Sequence, residues 1–119
     1  GEAIALETEK ALKAHADRTI VNLASAEYFS ALAPSSISSR VVTPAFREEK
    51  DGKLRSLQFF AKRARGAMAR YAIRNRIVRA DDLKGFDVDG YRFRPEGSTA
   101  TEWLFARPQP PLKKAPARR

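Results

Sequence analysis

Apolar residues change their spacing several times along this chain, and each change marks an element. Ile4, Leu6, Ala11 and Leu12 fall near helical spacing, so residues 2–15 read as a short amphipathic helix. Glu9 and Lys13, four apart with the acid first, add side-chain support to that helix. Residues 18–23 (RTIVNL) are β-branched enough for a short strand. Ser25 is a candidate N-cap for a helix over residues 26–32, with Asn22 as an alternative cap or turn residue. Pro34, Ser35 and Ser36 end it.

Residues 40–60 read as a β-hairpin around the two-residue turn Asp51-Gly52. That turn sets Lys50 opposite Lys53, Glu48 opposite Arg55, Phe46 opposite Leu57 and Pro44 opposite Phe59. Val42, Pro44, Phe46, Leu57 and Phe59 then share a core face, and Glu48 pairs with Arg55 near the tip. Pro44 has no N–H to give, so its strand is expected to be an edge there or to bend. A helix follows over residues 61–78. Ala64, Ala67, Met68, Tyr71 and Val78 form its apolar stripe, Arg63, Arg70 and Arg74 a second side, and Lys62, Arg65 and Arg76 a third. Gly66 inside the helix costs about 1 kcal/mol relative to Ala, and a close approach by another element or a ligand would account for it. Residues 81–85 form a further helical turn ending at Gly85, and 86–90 a loop. Residues 90–94 and 101–107 pair as a second hairpin, with Tyr91 and Phe93 facing one way, as do Trp103 and Phe105. The fold class is α+β, two β-hairpins packed with a central basic helix and shorter helices.

Composition narrows the functional classes. The chain has 119 residues, 43% of them apolar, which suits one domain with a single modest core. No apolar run approaches the roughly 20 residues of a membrane-spanning helix. There is no Cys, which excludes disulfides, thiolate metal sites and thiol catalysis. His15 is the single histidine, so neither a His-based metal site nor a Ser-His-Asp triad is expected within the chain. The first residues lack the charged lead and apolar core of a secretory signal. A reducing cytoplasmic setting, with no membrane contact and no cofactor, is the expectation.

The net charge of +9 is unevenly spread. Residues 61–79 hold seven basic residues and no acid, and residues 107–119 hold five and no acid. The rest of the chain carries 11 basic against 14 acidic residues and is net −3. Residues 108–119, with Pro108, Pro110, Pro111 and Pro116, read as a disordered or polyproline-like tail after the domain of residues 1–107. The helix is the stronger functional candidate. A row of guanidinium and ammonium groups on a rigid element neutralises phosphates and releases counterions, and arginine matches phosphate oxygens bidentately. Lys62, Arg63, Arg65, Arg70, Arg74 and Arg76 are therefore the expected nucleic-acid contacts, to the backbone of double- or single-stranded DNA, unless acids elsewhere in the fold pair with them.

Other clusters carry less. Asp81, Asp82, Asp87 and Asp89 lie close together but lack the remaining ligand positions of an EF-hand loop, and cap and turn chemistry accounts for them. Ser35, Ser36, Ser38 and Ser39 have no base partner at local spacing. The aromatic pairs read as packing, with base stacking open to any that is exposed. No catalytic residue and no metal site is expected.

Five segments in order, VNLASAEYF (21–29), VVTPAFREEKDGK (41–53), FFAKRARGAMARYAIRNR (59–76), LKGFDVDGYRF (83–93) and ATEWLFAR (100–107), resemble the YaaA family of bacterial peroxide-stress proteins. The resemblance covers the C-terminal half of that family's length. It implies a cytoplasmic protein of the YaaA-type fold that limits iron-mediated oxidative damage and binds DNA through a positively charged cleft. By position, the family's motifs fall on Asn22, Ser25 and Tyr28, on Gly66 and Tyr71 within the basic helix, and on Gly90 and Tyr91. Two alternatives stand beside DNA binding. Asn22, Ser25, Lys62, Arg65 and Tyr71 could line a small-anion or enzymatic pocket, or the basic helix could dock on the family's N-terminal half.

Overall fold

The structure is a computed structural model, and it describes residues 5–8, 11–14, 19–24 and 40–110. Within them lie seven strands of a mixed sheet and one long helix. The strands are β1 (Ala5–Thr8), β2 (Ala11–Ala14), β3 (Thr19–Asn22), β4 (Arg40–Lys50), β5 (Lys53–Arg55), β6 (Arg92–Phe93) and β7 (Glu102–Pro108). Their order is β1-β2-β3-β4-β7-β6, with β5 on β4. The helix, α1, spans Gln58–Arg74. The α+β class holds.

The first element differs from expectation. Residues 5–14 form two antiparallel strands, not a helix, with Leu6 opposite Leu12 and Leu12 opposite Val21 on β3. Pairing with β3 buries Ala11, Leu12 and Ala14 together. Local helical spacing over so short a stretch is weaker than that tertiary gain. β3 falls where the β-branched run placed it. It pairs in parallel with β4, and residues 25–39 between them lie outside the described residues. The expected helix at 26–32 and Ser25, Tyr28, His15 and the serines at 35–39 cannot be placed for the same reason.

The hairpin is right at its tip and wrong below it. Lys50 faces Lys53 and Glu48 faces Arg55 as the turn requires. The returning strand stops at Arg55 and the chain enters α1 at Gln58, so Phe46–Leu57 and Pro44–Phe59 pairs do not form. In their place β7 runs parallel to β4, with Pro44 beside Trp103 and Phe46 beside Phe105. Phe59 moves to the helix surface, 67% exposed. Pro44 is accommodated in a sheet interior by a gap. Thr43 donates its N–H to the Thr101 carbonyl, so the N–H that Pro44 lacks would point to the opposite edge. There β3 pairing ends at Val42 and β5 pairing begins at Glu48.

Alternation puts Leu12, Val21, Val42, Phe46, Trp103 and Phe105 on one sheet face, where they form the core with Ala61, Ala64, Met68 and Ala72 of α1. The small helix residues let the backbone lie close to the strands. Ala67 and Tyr71 are only partly buried, and Val78, expected in the stripe, lies beyond the helix end. Phe86, Tyr91 and Phe105 pack around Phe46 at ring separations of 5.8, 5.3 and 5.4 Å. A short 3-10 helix at Ala80–Gly85 matches the expected turn. The second hairpin forms between β6 and β7 with Phe93 opposite Phe105. Pro108 ends β7, and the Gln109 N–H donates to the Glu49 carbonyl. The expected tail thus begins as sheet, and from residue 111 it lies outside the described residues.

Candidate functional site

Burying an alanine and methionine stripe turns every charged residue of α1 toward its other sides. Lys62, Arg63, Arg70, Arg74 and Arg76 are exposed and Arg65 is half-buried. None of the six makes an ion pair with an acid among the described residues. The ion pairs lie elsewhere, on Arg40, Lys84, Arg94 and Arg107. Burial strips water from the Arg65 guanidinium and holds its pKa below the ordinary arginine value. α1 therefore presents five cations, with Arg76 just past its end as a sixth, and no acid among the described residues compensates them.

Phe59, Arg63, Gly66, Arg70 and Arg74 follow one another at spacings of four, three, four and four and form one exposed ridge. The Arg63 guanidinium lies 5.8 Å from the centre of the Phe59 ring. Gly66 makes a notch in the ridge. A methyl group built there would meet only Arg70 Nη1, at 3.5 Å. No other element of the described residues approaches it, so packing within the fold does not account for this glycine. Beside the ridge, Ala67, Arg70, Tyr71, Arg74, Asn75 and Val88 line a depression of about 160 Å³. Tyr71, one of the lining residues, packs edge-on against Phe86 at 5.4 Å.

The C-terminal end of α1 adds another cation. The Arg76 N–H donates to the Ile73 carbonyl and the Ile77 N–H to the Ala72 carbonyl, the paired bonds of a Schellman ending. The residue after the cap takes a left-handed conformation there, and it is usually glycine. Here it is Arg76, at φ 52°. An arginine stands where the backbone favours a residue without a side chain.

The other motif residues separate from the ridge. Asn22 lies on the sheet face opposite α1, since its neighbour Val21 faces the core. It is buried and already partnered: its Oδ1 accepts the Ala24 N–H at 2.8 Å and its Nδ2 donates to Thr43 Oγ1 at 3.3 Å. Lys62 and Tyr71 stand nine residues apart, on opposite sides of a helix with 3.6 residues per turn. Asn22, Lys62, Arg65 and Tyr71 therefore do not line one pocket, which removes the site suggested by their sequence motifs.

Tyr91 belongs to a buried brace that the sequence pattern does not show, and Gly90 to the exposed turn beside it. Glu48 is fully buried. It accepts hydrogen bonds from the Tyr91 hydroxyl and, at 3.0 Å, from Arg107 Nε. Arg107 lies between the rings of Phe60 and Tyr91, at 4.9 and 4.5 Å. Its Nη1 donates to the Asp89 carbonyl at 2.9 Å. Asp89 and Gly90 are both left-handed, at φ 60° and 89°, a turn that glycine at the second position makes cheaper. The expected Glu48–Arg55 pair is replaced by Glu48–Arg107 because β7 delivers a cation to the core side of β4. Burial first, and then the Glu48 carboxylate, push the Tyr91 phenol well above its ordinary pKa. The sequence signal was the alternation itself, which puts Glu48 on the face of Val42 and Phe46.

Among the described residues no group of three potential ligands could hold a metal ion, and no helix is long and apolar enough to cross a membrane. Residues 3–97 match the family model described as peroxide stress protein YaaA. A UPF0246 protein of Caulobacter vibrioides is 58% identical over 110 residues, covering 92% of this chain and 43% of the relative. One from Phenylobacterium zucineum is 58% identical over 111 residues, covering 93% and 42%. One from Dinoroseobacter shibae is 47% identical over 119 residues, covering 100% and 44%. The chain thus spans less than half the length of these curated relatives. The family match takes in the sheet through β6, the brace turn and the whole of α1, and on that match the chain belongs to the peroxide stress protein YaaA family.

Proposed function

We propose that this chain binds nucleic acid through the sugar-phosphate backbone, using the exposed sides of α1, as part of a cytoplasmic response to peroxide stress. The observation that carries the reading is the set of six cations, five on α1 and Arg76 just past its end, with no acid partner among the described residues. A cationic ridge without compensation attracts a polyanion and repels other cations. Contacts to phosphate position a protein without reading sequence, so affinity should vary little with base sequence. Each phosphate neutralised steepens the fall of log K with log salt by about 0.9. Restraint of iron-mediated oxidative damage is the second part of the proposal and rests on family membership. The test is fluorescence anisotropy with labelled duplex and single-stranded DNA over a salt series. Binding that weakens steeply with salt supports the reading, and a flat slope or no binding at low salt overturns it.

A second reading has one observation in its favour. The chain spans 43% of a close relative, and Ile73 on α1 is 49% exposed, so part of this helix could be covered by the family's N-terminal half. Arg70→Ala with Arg74→Ala in a full-length relative separates the two. Unchanged DNA affinity with loosened packing of the halves would favour docking.

A further inference from the structure

We infer that Phe59 is a stacking platform for an unpaired base, which makes the preferred ligand of α1 a nucleic acid with single-stranded nucleotides. This rests on the proposed backbone contact and gives it a substrate class. Phe59 is the most exposed large apolar side chain among the described residues, at 67%. Its neighbour Phe60 is partly covered and faces Arg107, so the two adjacent rings have different surroundings. Burial therefore leaves Phe59 unexplained.

Its surroundings select the occupant. Phe59 begins the ridge that continues through Arg63, Gly66, Arg70 and Arg74, and the Arg63 guanidinium sits at its rim, 5.8 Å from the ring centre. Lys62 and Arg63 beside it, and Arg70 and Arg74 about 16 and 22 Å further along the helix axis at 1.5 Å per residue, are exposed and have no acid partner among the described residues. An apolar protein surface would meet those charges unpaired and strip their water without replacing it, which opposes such a partner. A nucleotide matches both features, with a flat π-face for the ring and a phosphate for the guanidinium. Arg63 and Arg70 lie about 10 Å apart along the axis at 1.5 Å per residue, with the Gly66 notch between them to admit the backbone closely. Duplex DNA can use the same cations but keeps its bases stacked inside, so it would leave Phe59 untouched.

The experiment uses the full chain and three labelled DNAs: duplex, single strand, and duplex with a short single-stranded gap carrying 2-aminopurine. Binding is expected to quench 2-aminopurine in the gap and the single strand. Phe59→Ala should abolish that quenching and weaken single-strand and gap binding about five-fold or more, while duplex affinity stays within about two-fold. Phe59→Trp should restore both. Phe59 is surface-exposed, and circular dichroism of each variant checks the fold. Equal affinity of Phe59→Ala and the parent for all three DNAs, or no quenching, overturns the inference. So does a Phe59→Ala effect seen only as altered association with a protein. If quenching fails while the duplex salt slope remains steep, the backbone reading survives and only the stacking role is lost. If none of the DNAs binds, both are lost.

Discussion

At Arg76 a strained backbone stands against the proposed phosphate contact. Its φ of 52° places a side chain in a left-handed conformation that costs L-residues about 1 kcal/mol or more, and glycine would relieve it. Arg76→Gly should therefore raise the midpoint of thermal unfolding, by up to about 1 kcal/mol of stability after the added freedom of the unfolded chain is counted. The same change should weaken DNA binding and lower the salt slope by about 0.9. Melting curves and a salt series on one pair of proteins read both effects. Tyr91 makes the opposite kind of contribution. Its hydroxyl serves the buried Glu48 carboxylate, so Tyr91→Phe should cost about 1.5–3 kcal/mol, the range for hydrogen bonds to a charged group. The phenol is raised in the folded state, so its stabilisation is complete below the unfolded value near 10. As pH climbs above that value it is progressively lost, because the unfolded chain releases the proton more readily. Denaturant unfolding from pH 8 to 11 should show the parent losing stability and Tyr91→Phe losing less.

At the scale of elements, legibility followed locality. The Asp51-Gly52 turn and the Lys50–Lys53 and Glu48–Arg55 register were readable because two residues fix them. The basic helix was readable because its alanines and arginines repeat at one spacing. The helical spacing of residues 5–14 misleads because their strands form only against β3, and the hairpin signal overruns because the returning strand gives way to α1 at Gln58. Glu48 was assigned to its nearest cation, while its actual partner Arg107 arrives 59 positions later. Gly66 tests what the helix itself is for. The site has room for a methyl group, so Gly66→Ala should stabilise the chain by about 1 kcal/mol through helix propensity. A helix that seats a backbone in that notch should bind DNA less tightly after the change. Chemical denaturation and anisotropy on this variant should move in opposite directions.

Across the whole molecule, the charge of +9 resolves into an acidic-leaning body and a few concentrated cations. The structure divides those cations again. Arg107, counted with the tail by sequence, is an internal partner of Glu48, Arg94 pairs with Glu49 and Glu96, and Lys84 pairs with Asp81. Of the described cations that no acid holds, six are concentrated on α1 and just past its end. Membership of the peroxide stress family gives this helix a setting. The charge distribution supports the proposed ligand class, and the sheet is the support on which α1 packs. The measurement that bears most directly on this account is the salt dependence of duplex DNA binding by the full chain and by Arg70→Ala with Arg74→Ala. The account predicts a steep slope for the parent, reduced by about 1.8 in the double variant at about 0.9 per phosphate contact, with both proteins equally folded. Identical slopes for the two would contradict it.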